Sequence, residues 1–286
     1  MTIKNVSDYL EEIAPLHQAE DFDNVCLLIG NETTEVKGVL VTLDTLEETV
    51  DEAIKTKCNL IVSFHPIIFS GLKKINGNSY VEKVVMKAIQ NNIAIYAIHT
   101  ALDNSKVGVS AKMCEVLGLS NNSILLPKDD GASGMGMIGD LPKPMLEEDF
   151  LTFTKKTFKA NGIRYSNKTG KLVKKVAVLG GSGSFAITDA IHKKADVYIS
   201  ADFKYHDFFK AEDKILLIDV GHYESEQFTK IMVLEISTYI RIRFFMNCIC
   251  YGKASRPTEN SHFFYMFSCF TRKTNSISFK SFFSKG

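Results

Sequence analysis

No apolar run in this chain approaches the roughly 18 residues that a membrane span requires, so no crossing segment is expected. The opening residues Met1–Val6 lack the apolar core of a signal peptide, and the expectation is a cytoplasmic protein. An excess of charge is missing too. The 34 Lys and Arg residues stand against 33 Asp and Glu, a formal net charge of +1, which gives no reason to expect nucleic acid or an anionic membrane as a partner. Cysteine is sparse, and Cys26, Cys58 and Cys114 lie apart in apolar surroundings. Such residues read as buried free thiols rather than disulfides, again pointing to the cytoplasm. What remains is ordinary globular text: 286 residues, 45% hydrophobic and 23% charged, enough for one large or two medium domains with an unstapled core.

Strand and helix patterns alternate along the first 230 residues. Ile3, Val6, Tyr9, Leu10 and Ile13 have helical spacing. A strand pattern at Val36–Leu43, a helix at Glu47–Lys55, a strand at Asn59–Ser63, a helix through Val81–Ala88 and a strand at Ile93–Ile98 follow in turn. That rhythm predicts a largely parallel sheet with crossover helices. The turn-rich stretch Asp129–Met137 is read as the crossing into a second α/β half. There, Glu147–Phe158 is helical, and strands are expected at Val173–Leu179, Asp196–Ser200 and Ile215–Asp219. The division is therefore an N-terminal lobe over 1–128, a second lobe over 129–230, and an atypical tail over 231–286. The tail is rich in Phe, Ser and Lys and carries no Asp and only Glu235 and Glu259 as acids. It shows neither helical nor strand periodicity over most of its length and reads as out-of-frame or disordered text.

Three apolar runs end in chemistry. Asn59–Phe69 runs into His65 followed by Pro66; Asn92–Asp103 ends in His99 and Asp103; Lys214–Glu226 ends in Asp219, His222 and Glu226. Open α/β sheets bind ligands at the carboxyl ends of their strands. His and Glu four apart at a helix start share one face, so both can reach one ion. Imidazole nitrogen and carboxylate oxygen suit zinc, iron or manganese. His65, Asp103, His222 and Glu226 are accordingly the candidate metal ligands. Taken singly, each could merely cap a strand or helix end; jointly they favour a site, though no compact ligand motif fixes it. His99 lies one turn before Asp103 and is read as orienting it.

A competing signal is Gly181-x-Gly183-x-x-Ala186, which follows a strand and is trailed by Asp202. The pattern fits a dinucleotide fingerprint variant, a phosphate-holding loop, or only a tight turn that needs glycine dihedrals. His206 is an acid/base candidate or a surface residue. His17 and His192 are expected to be solvated.

These motifs together resemble the NIF3-like proteins, a dinuclear metal family whose members carry the name GTP cyclohydrolase 1 type 2 homolog. The matching segments are Asp23–Gly30, Phe64–Phe69, Ile98–Asp103, Val178–Gly183, Ser200–Asp207 and Gly221–Glu226, in the family's order. The resemblance implies two α/β lobes, a toroidal homohexamer enclosing pairs of metal ions, and His65, Asp103, His222 and Glu226 as ligands with Glu226 bridging. Three departures stand out. Phe64 replaces the first His of the family's His-His-Pro, so the ion served by it and Asp103 loses a ligand while His65, His222 and Glu226 keep theirs; one or two ions per chain follow. No inserted domain fits at Leu126–Gly136, and the tail does not match the family's C-terminal helix and strand.

The resemblance implies a metal-dependent hydrolase. The ion would bring the pKa of a bound water towards 7, with attack on C8 of the guanine ring of GTP and His99 or His206 as proton carriers. A non-catalytic, ring-forming metal protein is the alternative that Phe64 favours. A dinucleotide-binding oxidoreductase built on Gly181–Ala186 is a third reading.

Overall fold

The computed structural model describes residues 1–230 and the backbone of 248–251. Helix α1 (Ile3–Ile13) turns Ile3, Ser7 and Leu10 inward at the expected spacing. Strands β1 (Cys26–Ile29) and β2 (Val39–Thr42), helix α2 (Glu47–Lys55), β3 (Leu60–Ser63), α3 (Tyr80–Gln90) and β4 (Ala94–Ala97) build the first lobe. Every residue of β2, β3 and β4 is buried, as strands covered on both faces must be. Alternation then assigns the faces. Val39, Val41, Leu60, Val62 and Tyr96 pack towards Ile3 and Leu10 of α1, whereas Leu40, Ile61 and Ile95 pack towards Val50, Ala53, Val84 and Ala88 of α2 and α3.

Two short helices, α4 (His99–Asp103) and α5 (Val109–Leu117), lead out of this lobe. Helix α5 bridges: Val109 packs in the first core, while Met113, Cys114 and Leu117 pack against Val176, Val178 and Leu216 of the second. Strands β5 (Ser120–Pro127) and β6 (Gly134–Leu146) then form an antiparallel hairpin. Its turn is set by Asp130, whose Oδ1 accepts the amides of Ala132 at 2.8 Å and Ser133 at 2.9 Å. The stretch Asp129–Met137 is thus a hairpin turn and strand start rather than a crossing between halves. The sheets divide before Ser120, not at residue 128, because β5 hydrogen-bonds within the second sheet.

The second lobe continues with α6 (Glu147–Thr157), β7 (Arg164–Tyr165), β8 (Leu172–Ser182), α7 (Ile187–His192), β9 (Val197–Ala201), β10 (Leu216–Asp219) and α8 (His222–Glu226). Its sheet order is β5-β6-β8-β9-β10-β7, with β8, β9 and β10 parallel. Strand β11 (Cys248–Tyr251) returns to the first lobe, parallel to β2, so that sheet reads β1-β4-β3-β2-β11. The rest of 231–286, and with it most of the tail assignment, lies outside the described residues. Cys26, Cys58 and Cys114 are free thiols. Among the described residues no helix is long and apolar enough to cross a membrane.

Candidate metal centre

In both lobes three adjacent parallel strands end at one place. The backbone ladder runs on past the first lobe's strands: the Phe64 amide donates to the Thr42 carbonyl at 3.0 Å, His65 to Leu43 at 2.9 Å, and His99 to Phe64 at 2.9 Å. His65 is fixed beyond β3 by this extension. In the second lobe, Gly221 takes φ +95° after β10, a conformation that favours glycine, and the chain enters α8 with His222 first and Glu226 one turn later.

The structure brings His65, His222 and Glu226 together, their ligand atoms all within 4.8 Å of one another. Nε2 of His65 lies 3.2 Å and Nε2 of His222 3.3 Å from the same oxygen, Oε2 of Glu226. The two rings stand 5.5 Å apart between centroids. Nδ1 of His65 lies 2.9 Å from Asp44 Oδ1, and Nδ1 of His222 lies 2.7 Å from Asp202 Oδ2. His99 joins from the side, its ring 5.3 Å from that of His65 and its Nδ1 2.8 Å from Asp23 Oδ1.

Glu226 is 3% exposed, and its Oε2 has no hydrogen-bond partner of adequate geometry among the described residues. Burial pushes its carboxyl up, but His222 and His65 outweigh that and hold it below the usual carboxylate range. Burial works against a charged His65 ring, yet Asp44 and Glu226 push it up to about 10. His222 is raised to about 9, chiefly by Glu226 against burial, with Asp202 adding. Asp103 stands outside the three-residue cluster. Burial first, and then the Glu226 charge, hold it well above the ordinary carboxylate value, with His65 opposing. His206 is exposed on a 3₁₀ turn, 5.1 Å from Tyr205 and 5.6 Å from Phe209 between centroids. His17 and His192 are exposed.

These residues fit a divalent ion. A buried carboxylate oxygen without a partner faces two ring nitrogens whose opposite nitrogens are engaged elsewhere. In the neutral rings, three lone pairs converge on one space. Ligand atoms about 2.0–2.2 Å from a tetrahedral ion stand roughly 3.3–3.6 Å apart, close to the separations seen.

Gly181, read as a phosphate or dinucleotide contact, has another use here. It takes φ +69°, and a Cβ built on it would stand 2.5 Å from Glu226 Oε1 and 3.3 Å from His222. Its amide donates to Ser225 Oγ at 2.9 Å, and its carbonyl accepts from Ser200 Oγ at 2.9 Å. Gly183 is packed as closely, with a Cβ falling 2.2 Å from Ser200 Oγ. The glycines make room for the cluster and for β9. Phe64 is 1% exposed and packs edge-on against His65 and His99, at 5.0 and 5.6 Å. Its ring offers no lone pair.

Sequence reasoning missed Asp23, Asp44 and Asp202 as partners of the imidazoles. Their signal was position: Asp202 comes immediately after β9, Asp44 two residues after β2, and Asp23 shortly before β1.

A two-lobed α/β protein with a His/Glu cluster drawn from the strand ends of both lobes is the class that this fold and site define. The family described as Duf34/NIF3 (NGG1p interacting factor 3) matches residues 1–246, past Lys230, and the chain belongs to that family. It is 32% identical over 231 residues to the GTP cyclohydrolase 1 type 2 homolog of Clostridium acetobutylicum, covering 79% of this chain and 85% of that protein. The Staphylococcus aureus hypothetical protein SA1388 superposes with a TM-score of 0.82 at 28% identity, covering 91% of this chain and 99% of that one. Reduced HcgD from Methanocaldococcus jannaschii superposes at 0.72 with 27% identity, covering 87% and 97%.

Proposed function

We propose that the chain is a metal-dependent hydrolase acting on a small, nucleotide-like molecule at the junction of its lobes. The convergence of His65, His222 and Glu226 within 4.8 Å carries this reading. These three would hold a zinc, iron or manganese ion, with the buried Asp103, whose carboxyl feels the Glu226 charge, the candidate ligand for a second. When bound, such an ion supplies Lewis acidity and makes water a nucleophile near neutral pH. The chain's own residues do the rest. His65 and His222 present Nε2, Glu226 supplies the negative charge, and His99, held by Asp23, stands beside the cluster where it can hold a proton.

Two exposed rings support a planar substrate. Phe22 and Phe69 are 66% and 50% exposed and stand 6.4 Å apart between centroids, and Phe69 meets His99 at 6.2 Å. Aromatic faces open to solvent beside a polar centre suit stacking of a heteroaromatic ring. Ring opening of GTP is the particular reaction that the relatives' name suggests. A toroidal homohexamer in the cytoplasm belongs to the same proposal.

The test is metal content of protein purified without chelator or added metal, followed by GTP turnover with and without chelator and in Glu226→Ala. A hydrolase loses turnover in both arms. Phe64 favours a second reading, in which the ion organises a non-catalytic ring-shaped assembly. On that reading, chelation and Glu226→Ala dissolve the assembly, and no turnover is present to lose.

A further inference from the structure

Each of the three histidines at the lobe junction is paired through Nδ1 with an aspartate from the neighbouring strand. His65 follows β3, and Asp44 follows β2, which is paired to β3. His222 follows β10, and Asp202 follows β9, which is paired to β10. His99 follows β4, and Asp23 precedes β1, which is paired to β4. Both sheets therefore use the same construction.

A carboxylate only accepts, so Nδ1 carries the proton in each pair and the neutral ring keeps its lone pair on Nε2. For His65 and His222 that nitrogen faces Glu226, at 3.2 and 3.3 Å. We propose that Asp44 and Asp202 are the positioning residues of the metal centre, fixing tautomer and ring orientation of His65 and His222 so that both present Nε2 to one ion. The inference rests on the metal reading above and adds to it the residues that shape the ligands.

The two carboxylates are not equivalent. Asp202 has the shorter contact, at 2.7 Å against 2.9 Å, and its Oδ2 also accepts from Ser182 Oγ. Its backbone holds φ +58°, in the region that favours glycine and aspartate. The side chains of Asp44 and Asp202 are similarly exposed, at 57% and 50%, so the contrast between them rests on contact length and the Ser182 bond. Asp202 therefore carries the larger share.

Removing a carboxylate that orients a metal-bound imidazole costs about 10- to 100-fold in affinity. The experiment titrates zinc ion into the full chain in competition with a chromophoric chelator, for wild type, Asp44→Ala, Asp202→Ala and Asp202→Asn. Wild-type binding, a loss of about 10- to 100-fold in Asp202→Ala, a smaller one in Asp44→Ala and partial rescue in Asp202→Asn are expected. Nitrogen-15 shifts of the zinc-loaded protein should show Nε2 as the metallated nitrogen of both rings. Wild-type binding with both alanine variants within about twofold of it, or metallation at Nδ1, overturns this inference alone. A wild type that takes up no zinc overturns the metal reading and this inference with it.

Discussion

Gly181 and Glu226 occupy adjoining space: the carboxylate of Glu226 sits where a side chain on Gly181 would begin, 2.5 Å from that position. The contact joins the end of β8 to the end of α8 and leaves the carboxylate one path, towards His65 and His222. Gly181→Ala must both strain a backbone at φ +69° and push Glu226 aside. The expected cost is about 1–3 kcal/mol of stability together with loss of the bound ion. Thermal denaturation and elemental analysis of the purified variant check both; an alanine variant with full metal content refutes the account of this glycine.

On the proposed metal reading, Phe64 is the residue that decides between one ion and two. Phe64→His places a further imidazole beside His65 and His99, whose rings Phe64 meets at 5.0 and 5.6 Å. Metal content per chain should rise by about one ion, while the metal-free variant loses about 1–3 kcal/mol because a polar ring replaces a fully buried apolar one. Unchanged stoichiometry would show that this position does not supply the missing ligand.

Acid stability should depend on Asp23. Burial raises its carboxyl, but the His99 ring and the Thr100 hydroxyl and amide outweigh that and hold it at about 2, below the ordinary 3.8. A folded value below the unfolded one contributes stability above pH 3.8 that is lost as pH falls through about 2. Asp23→Asn should therefore be less stable than wild type by about 1–2 kcal/mol at about pH 6, and the difference should shrink below pH 3.8 and vanish only below about pH 2. Urea denaturation across that range reads it directly, and a gap that persists at low pH would assign the loss to packing instead.

Phe69 offers an exposed ring next to His99. If a planar substrate stacks there, Phe69→Ala should raise KM by about 3- to 10-fold with kcat little changed. An unchanged KM on a turned-over nucleotide removes the ring from the binding surface.

The strand ends were legible because the strands announce themselves. Leu60–Ser63 and Leu216–Asp219 are short apolar runs, and His65 and His222 follow them at once. The β5–β6 hairpin was not. Gly134 and Gly136 read as turn signals, and Pro142 and Pro144 argue against a strand. The chain accommodates those prolines where the register between β6 and β8 shifts, between Asp140 and Met145, so no ladder bond is asked of them. The aspartate partners were hidden for a different reason. Asp44 stands near His65 only because β2 lies beside β3, and Asp202 near His222 only because β9 lies beside β10. Strand adjacency is a property of the whole sheet and leaves no local trace. Asp202 instead fitted the acidic position of a nucleotide fingerprint, although its carboxylate is bonded to His222 and Ser182.

The division of the cluster between lobes has a consequence for biogenesis. Synthesis proceeds from the N-terminus, and His65 emerges long before His222 and Glu226. The nascent first lobe holds His65 and His99 but lacks His222 and Glu226, two of the three residues of the cluster. Only after residue 226 has left the ribosome, and the second sheet has formed, does the pocket close. On the metal reading, an ion can be held by all three residues only once both lobes are made, and a product truncated before Glu226 lacks at least one of them.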